Sequence, residues 1–266
     1  MSVWNAAEYA KGSGLQVAMA AEVLATLAFA GDERVLDVGC GDGKITAAIA
    51  QRVPRGSVTG VDPSREMIAF ASAHFGPPAA TNLTFDVADA RELPFVEAFD
   101  RVVSFNALHW IPDQDIALRS LRRAMKPAAT AQVRLVCDGE RVSLESIVEQ
   151  TRHAARWTAQ FRDFTDPYLH LTPAQYAAVC ERNGLAVTAL RVHDHAWDFG
   201  SRGDFHAFCV MGLGAWTRQL HAADRGAFAD DVLERYLRAQ NAGPQAAGVF
   251  RFYQMDVTLA RAPDGR

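Results

Sequence analysis

Residues 35–43 read VLDVGCGDG, and this stretch decides how the chain is built. The short β-branched run Arg34–Val38 predicts a buried strand, and Gly43–Gln51 predicts the helix that follows it. Glycines stand at positions 39, 41 and 43, where the strand turns into the helix. Glycine permits a tight turn and lets the backbone approach a ligand closely. The stretch therefore predicts a ligand-holding loop, with a plain strand-to-helix turn as the alternative.

The residue after the loop disfavours two common nucleotide-binding loops. A dinucleotide fingerprint, G-x-G-x-x-G, requires Gly or Ala at position 44, and this chain has Lys44. A P-loop requires Ser or Thr after its Gly-Lys pair, and here Ile45 follows. A redox enzyme that uses a nicotinamide or flavin is therefore a weak hypothesis.

Predicted strands and helices alternate from this loop to residue 138. The further strands are Ser57–Val61, Leu83–Phe85, Asp100–Phe105 and Thr130–Cys137. The helices between them are Ser64–His74 and Asp113–Met125. Alternation at this spacing predicts an α/β fold, in which helices cover both faces of a parallel sheet.

Acidic residues follow two of the predicted strands. Asp62 ends the strand after the glycine loop, where a carboxylate can accept hydrogen bonds from ribose hydroxyls. Asp89 and Ala90 follow the next strand, where an adenine amino group would lie. The carboxyl ends of parallel strands meet at one edge of a sheet, so these features together predict a nucleoside pocket. Taken alone, Asp62 would equally fit a solvated strand end or a helix cap.

The second half of the chain has a different pattern. Helices are predicted at Arg141–Ala159, from Pro173 to Asn183, at Asp204–His221 and at Asp224–Gln240, and strands at Leu185–Phe199 and Gly248–Arg261. No linker separates these elements, so we expect one domain over residues 1–266. Its predicted parts are N-terminal lid helices in 1–30, a cofactor-binding core in 31–140, helical acceptor-side insertions in 141–184 and 200–245, and final strands in 185–199 and 248–261.

The composition excludes several classes of function. The chain has 27 basic and 31 acidic residues, a net charge of −4, which argues against a nucleic-acid partner. Its four cysteines form no zinc-binding pattern, and we expect them to be reduced in a cytoplasmic protein.

The N-terminus shows no signal-peptide pattern, and no apolar run is long enough to cross a bilayer. His193 and His195 lack a third ligand, so no metal is expected. The sequence leaves the oligomeric state open.

Four segments resemble, in order and spacing, the motif series of class I S-adenosylmethionine-dependent methyltransferases. They are DVGCGDGKIT from Asp37, GVDPS from Gly60, DVADARELPF from Asp86 and FDRVVSFNALHW from Phe99, and the resemblance spans residues 30–138. It implies a Rossmann-like seven-stranded sheet with an antiparallel last strand, and S-adenosylmethionine as the cofactor. One departure is Lys126-Pro127-Ala128-Ala129, where the family usually has two glycines after the proline.

The resemblance also implies roles for single residues toward S-adenosylmethionine. Asp37 would hold the loop, and Asp62 would bind the ribose hydroxyls. The loop residues expected beside the methionine part are Gly39, Cys40, Gly41 and Gly43. The residues expected around the adenine and the sulfonium are Pro63, Met67, Asp89, Ala90 and Asn106. Tyr9, in a stretch similar to the family's lid helix, completes the expected cofactor set.

The turn after residue 105 is similar to that of the trans-aconitate, malonyl-carrier-protein and juvenile hormone acid methyltransferases, which methylate carboxylates. By this resemblance Gln16 and Trp110 bind the acceptor carboxylate. The neighbouring His109 is expected to be a third donor, or a base if the nucleophile is a hydroxyl or an amine. A carboxylate is already ionised at pH 7 and needs orientation by neutral donors rather than a base. We therefore expect O-methylation of a small carboxylic acid. The alternatives are O-, N- or C-methylation of a secondary metabolite, and a non-catalytic protein that binds a nucleoside ligand.

Overall fold

The computed structural model describes the backbone of residues 14–262 and the side chains from residue 18 onward. Its strands are β1 (Arg34–Val38), β2 (Ser57–Asp62), β3 (Leu83–Val87), β4 (Phe99–Phe105), β5 (Met125–Cys137), β6 (Leu185–Asp198) and β7 (Val249–Arg261). Its helices are α1 (Gly14–Thr26), α2 (Lys44–Ala50), α3 (Arg65–Phe75), α4 (Gln114–Ala124), α5 (Leu144–Arg152), α6 (Pro173–Arg182), α7 (Arg202–Gly212), α8 (Gly214–Thr217) and α9 (Ala222–Ala239).

The strands form one sheet in the order β3-β2-β1-β4-β5-β7-β6. The pairs β1–β2, β2–β3, β1–β4 and β4–β5 are parallel. Strand β7 runs antiparallel to β6, since Phe199 N–H donates to Gly248 O at one end and Ala262 N–H donates to Gly184 O at the other, both at 2.9 Å. The predicted seven-stranded sheet with an antiparallel last strand is confirmed.

Local signals explain how the helices of the first half begin. The Ser64 hydroxyl accepts from Met67 N–H at 3.3 Å, which confirms the predicted cap of α3. Asp113 caps α4 through Ile116 N–H at 3.3 Å. Strand β1 is buried at every position except Arg34, as expected of a parallel strand covered on both faces.

Two predicted helices of the second half were wrong in extent. The helix expected over Arg141–Ala159 is confined to α5, which begins after the Ser143 cap. Beyond it the buried Trp157 indole donates to Asp231 at 2.8 Å, and this tertiary contact replaces further helical turns. The helix expected over Asp204–His221 is divided into α7 and α8, because Gly212 and Gly214 interrupt it.

The chain divides into two compact units. Within the described residues, the first holds 14–135, 173–192 and 255–262, and the second holds 136–172 and 193–254. In the first, Leu24 of α1 joins a core with Val35, Ile49 and Phe105. In the second, Trp157 and Phe161 pack on Phe228, with ring centroids 5.3 and 5.2 Å apart. The single-domain interpretation of residues 1–266 stays a prediction.

Candidate cofactor and acceptor site

The glycine loop lies between β1 and α2 and is anchored to the end of β2. Gly39 and Cys40 donate their N–H groups to Val61 O at 2.8 and 3.0 Å. Gly39 has φ +78°, and a Cβ there would lie 2.2 Å from Ala107 Cβ in the loop after β4. Only glycine fits this approach. The loops after β1, β2 and β4 therefore meet at one edge of the sheet, at the point where the strand order reverses.

Two carboxylates bond to the glycine loop or to the helix that follows it. Asp37 is 2% exposed and accepts from the Thr46 hydroxyl of α2 at 2.7 Å. Burial raises the pKa of Asp37 to about 7. Asp62 accepts from Gly41 N–H at 3.1 Å and from Ser64 N–H at 2.8 Å, and burial raises its pKa above the ordinary value. These bonds orient Asp62 and tie it to the glycine loop.

The loop after β3 places Asp89 in a bidentate ion pair. Its oxygens accept from Arg91 Nε at 3.0 Å and Nη2 at 2.6 Å, and these bonds lower the pKa of Asp89. The neighbouring Ala90 is buried, as is Met67 on α3, whereas Pro63 is exposed. An adenine amino group at Asp89 would have to share the carboxylate with Arg91.

The turn after β4 carries the predicted acceptor residues. Asn106 has φ +56° and donates its N–H to Arg134 O at 2.8 Å. His109 and Trp110 follow in a short 3-10 turn, with ring centroids 5.6 Å apart. His109 is 5% exposed, and burial lowers its pKa to about 3. Trp110 is half-buried. The turn thus presents a neutral buried imidazole beside an indole at its surface.

Gln114 and Arg134 support this turn, and sequence reasoning missed both. The Gln114 side chain, 3% exposed, donates to Leu108 O at 2.7 Å and to Ile111 O at 2.5 Å, which spans the turn. The buried Arg134 donates to both oxygens of Asp256 on β7 at 2.6 Å and to Met19 O on α1 at 2.5 Å. Neither residue lies in a recognisable motif, so only the three-dimensional contacts reveal them.

Two predicted site residues have side chains outside the part of the chain that the structure describes. Tyr9 lies outside the described residues. Gln16 lies on α1, but its side chain is also outside them. Their roles stay predictions.

The surroundings of Gly41 are suited to a ligand of the predicted kind. Gly41 has φ +53°, and a Cβ built there meets no atom of the other described residues within 4 Å. The Gly41 N–H donates to Asp62, and this bond fixes the backbone of Gly41 beside the carboxylate. A nucleoside with an attached amino-acid chain fits this arrangement. The glycine backbone has no side chain to keep a ligand away, and the carboxylate accepts hydrogen bonds from hydroxyl groups.

No metal site competes with this interpretation in the part of the chain that the structure describes. His193 and His195 stack on β6 with centroids 5.6 Å apart. Among residues 14–262, no three or more His, Cys, Asp or Glu side chains are placed so that they could hold a metal ion. The helices within 14–262 also include none that is both long enough and apolar enough to cross a membrane.

The fold is of the Rossmann-like α/β type, and comparison with known proteins narrows this class. Residues 35–128 match the family described as methyltransferase domain. The chain is 30% identical over 191 residues to trans-aconitate 2-methyltransferase of Deinococcus radiodurans, covering 70% of this chain and 72% of that protein. The chain belongs to the class I S-adenosylmethionine-dependent methyltransferases.

Two further similarities agree with this assignment. Juvenile hormone acid O-methyltransferase of Bombyx mori is 35% identical over 91 residues, which is 34% of this chain and 33% of that protein. The crystal structure of the YcgJ protein of Bacillus subtilis superposes with a TM-score of 0.66 at 20% identity, covering 92% of this chain and 98% of that one. The second likeness concerns the fold alone.

Proposed function

We propose that this methyltransferase transfers a methyl group from S-adenosylmethionine to a carboxylate oxygen of a small organic acid. One observation carries the proposal. The turn after β4 pairs the half-buried Trp110, a neutral N–H donor, with His109, whose burial keeps its imidazole uncharged. This arrangement orients an anion and provides little basicity.

The loops at the sheet edge would hold the cofactor. In the proposal the glycines at 39, 41 and 43 lie beside its methionine part, and Asp62 accepts from its ribose hydroxyls. Each oxygen of Asp62 takes one backbone N–H, and a carboxylate oxygen can accept a further bond. Asp37 holds the loop against α2 through Thr46. When bound, S-adenosylmethionine supplies an electrophilic methyl carbon on a positively charged sulfur.

The chemistry of the acceptor follows from the weakness of the available base. A hydroxyl or amine acceptor must lose a proton, and an imidazole with a pKa of about 3 accepts one poorly near neutral pH. A carboxylic acid, with a reference pKa of about 4, is ionised before it binds. What it requires is alignment with the methyl carbon at a distance of about 3 Å. The Trp110 indole is the donor proposed for that alignment.

The names of the relatives support an acid as acceptor. One is named for trans-aconitate, whose nucleophilic oxygens all belong to carboxylates, and another for juvenile hormone acid. The net charge of −4 favours a small molecule over a nucleic acid as the acceptor. A cytoplasmic location, inferred from the cysteines, is part of the same proposal.

The proposal is tested by product chemistry in an assay of small organic acids with methyl-labelled S-adenosylmethionine. We expect a methyl ester that releases its label in mild alkali. Trp110→Phe should lower kcat/KM by about ten- to a hundredfold, since it removes one hydrogen bond to a charged group. His109→Gln should have a much smaller effect.

The matched control is Trp197→Phe, a partly buried tryptophan on β6, which should retain activity. An ether, N-methyl or C-methyl product would contradict the carboxylate proposal. The reverse ranking, with His109→Gln abolishing turnover and Trp110→Phe mild, would indicate general-base chemistry instead.

A further inference from the structure

Helix α1 is held by two arginine side chains, one in each half of the helix. Arg134 Nη1 donates to Met19 O at 2.5 Å, and Arg52 Nη1 donates to Leu24 O. All four residues belong to the first compact unit. Because both bonds end on backbone carbonyls, they fix the helix itself rather than one of its side chains.

The two bonds lie toward opposite edges of the sheet. Arg134 is in register with Phe105, the last residue of β4, so it lies at the edge that carries the candidate site. Arg52 follows α2, which starts at the glycine loop and leads back toward Ser57, where β2 begins. Helix α1 therefore runs from the site edge toward the opposite edge, and its amino-terminal half lies on the side of the candidate site.

Arg134 bonds both to α1 and to the turn after β4. Its backbone carbonyl accepts from Asn106 N–H at 2.8 Å, at the point where that turn begins with a positive φ of 56°. Its side chain donates to Met19 O. The placement of α1 relative to the turn that carries His109 and Trp110 therefore depends on one residue.

The guanidinium of Arg134 is itself fixed in one orientation. Asp256 on β7 accepts from its Nε and its Nη2, both at 2.6 Å, in a bidentate ion pair. Glu22 of α1 accepts from its Nη1 at 3.2 Å. The Arg134 side chain is 2% exposed, so little water competes for these donors. The ion pair with β7 thus directs Nη1 toward the backbone of α1.

We propose that Arg134 is a positioning residue for methyl transfer, which holds the amino-terminal half of α1 beside the turn after β4 so that the acceptor meets both. This inference rests on the proposed function, in which that turn orients the acceptor. Gln16 precedes Met19 by three residues, which is roughly 4.5 Å along the helix. A displaced α1 would weaken acceptor binding, whereas the glycine loop keeps its own bonds to Val61 and Asp62.

Steady-state kinetics of Arg134→Met in the full chain test the proposal. The KM for the acceptor should rise by about tenfold or more, because a misplaced element beside a reacting group is costly. The affinity for S-adenosylhomocysteine should stay within about twofold, since the glycine loop is unchanged. An unchanged acceptor KM would overturn the inference.

A second variant separates positioning from stability. Arg134→Met with Asp256→Asn removes both charges of the ion pair, so it should recover part of the stability that the single variant loses. The bond to Met19 O is still missing, so the acceptor KM should stay high. Recovery of KM together with the thermal midpoint would show a merely structural role. The matched control is Arg52→Met, which removes the other bond to α1 with the same change in charge and should leave the acceptor KM within about twofold.

Hydrogen–deuterium exchange tests the placement of α1 without any acceptor. The amides of residues 14–22 should exchange faster in the double variant than in the wild type, while those of β1 should be unchanged. Unchanged exchange in residues 14–22 would overturn the inference even if the product is a methyl ester. If the wild type instead methylates a hydroxyl or an amine, the proposed acceptor is wrong, and the KM for that acceptor tests Arg134 in the same way.

Discussion

Gly39 and Gly41 both have positive φ values but meet different surroundings. A side chain at Gly39 would collide with Ala107, so that glycine is required for the fold. A side chain at Gly41 would meet no atom within 4 Å among the residues that the structure describes. A substitution at Gly41 can therefore test ligand binding without a collision inside the fold.

We expect Gly41→Ala to fold, with a loss of stability of roughly 1–2 kcal/mol from the left-handed backbone. Its affinity for S-adenosylhomocysteine should fall, because the new methyl group occupies space proposed for the ligand. A loss of stability alone would not lower this affinity in the folded protein. Gly200→Ala is the control, since Gly200 has φ +86° and its Cβ position is likewise more than 4 Å from every other described residue. Calorimetry showing equal affinities in the two variants would remove Gly41 from the proposed site.

At the scale of elements, helix α4 begins beside the candidate acceptor turn. Its first residue, Gln114, bonds back to Leu108 O and Ile111 O and so fixes the path of the chain through His109 and Trp110. In the proposed function Gln114 is therefore a positioning residue, which affects the acceptor only through the turn.

Gln114→Met preserves the size of the side chain and removes both hydrogen bonds. We expect a loss of unfolding free energy of about 1–3 kcal/mol in urea titrations, because two carbonyls lose a buried donor. The KM for the acceptor should rise while the affinity for S-adenosylhomocysteine stays unchanged. Gln150→Met, at an exposed position of α5, is the control. A change in cofactor affinity as large as that in acceptor KM would show a general structural defect instead.

At the scale of the whole molecule, the four free cysteines are buried and are divided between the two units. Cys40 and Cys180 lie in the first unit, and Cys137 and Cys209 lie in the second. Burial raises the pKa of Cys137, Cys180 and Cys209 to about 12 and raises that of Cys40 as well. Because the thiolate is the reactive form, all four should be inert in the folded protein.

A thiol reagent at pH 8 should therefore modify the native protein slowly and modify all four cysteines in denaturant. Peptide mapping at intermediate denaturant would show whether the pair in each unit reacts together. S-adenosylhomocysteine should slow the reaction of Cys40 most, because this residue lies in the proposed cofactor loop. Rapid native labelling of Cys180 or Cys209, both 0% exposed, would contradict the packing described above.

Much of the first half was predictable because its signals are local. A glycine loop after a strand and an acidic residue at the next strand end occupy a few neighbouring positions, and the strand–helix alternation specifies a parallel sheet. The second half was less predictable. The ends of its helices depend on tertiary contacts, such as the bond of Trp157 to Asp231, between residues 74 positions apart.

The sequence by itself determined the fold class, the order of the elements and the family to which this methyltransferase belongs. Only the tertiary structure decided which ionisable side chains are buried and which charged side chains meet. His109 was open as a donor or a base until burial lowered its pKa to about 3. The ion pair of the buried Arg134 with Asp256 joins residues that are 122 positions apart in the chain. The physical reason is that desolvation and charge proximity depend on which distant residues meet, which a local pattern does not encode.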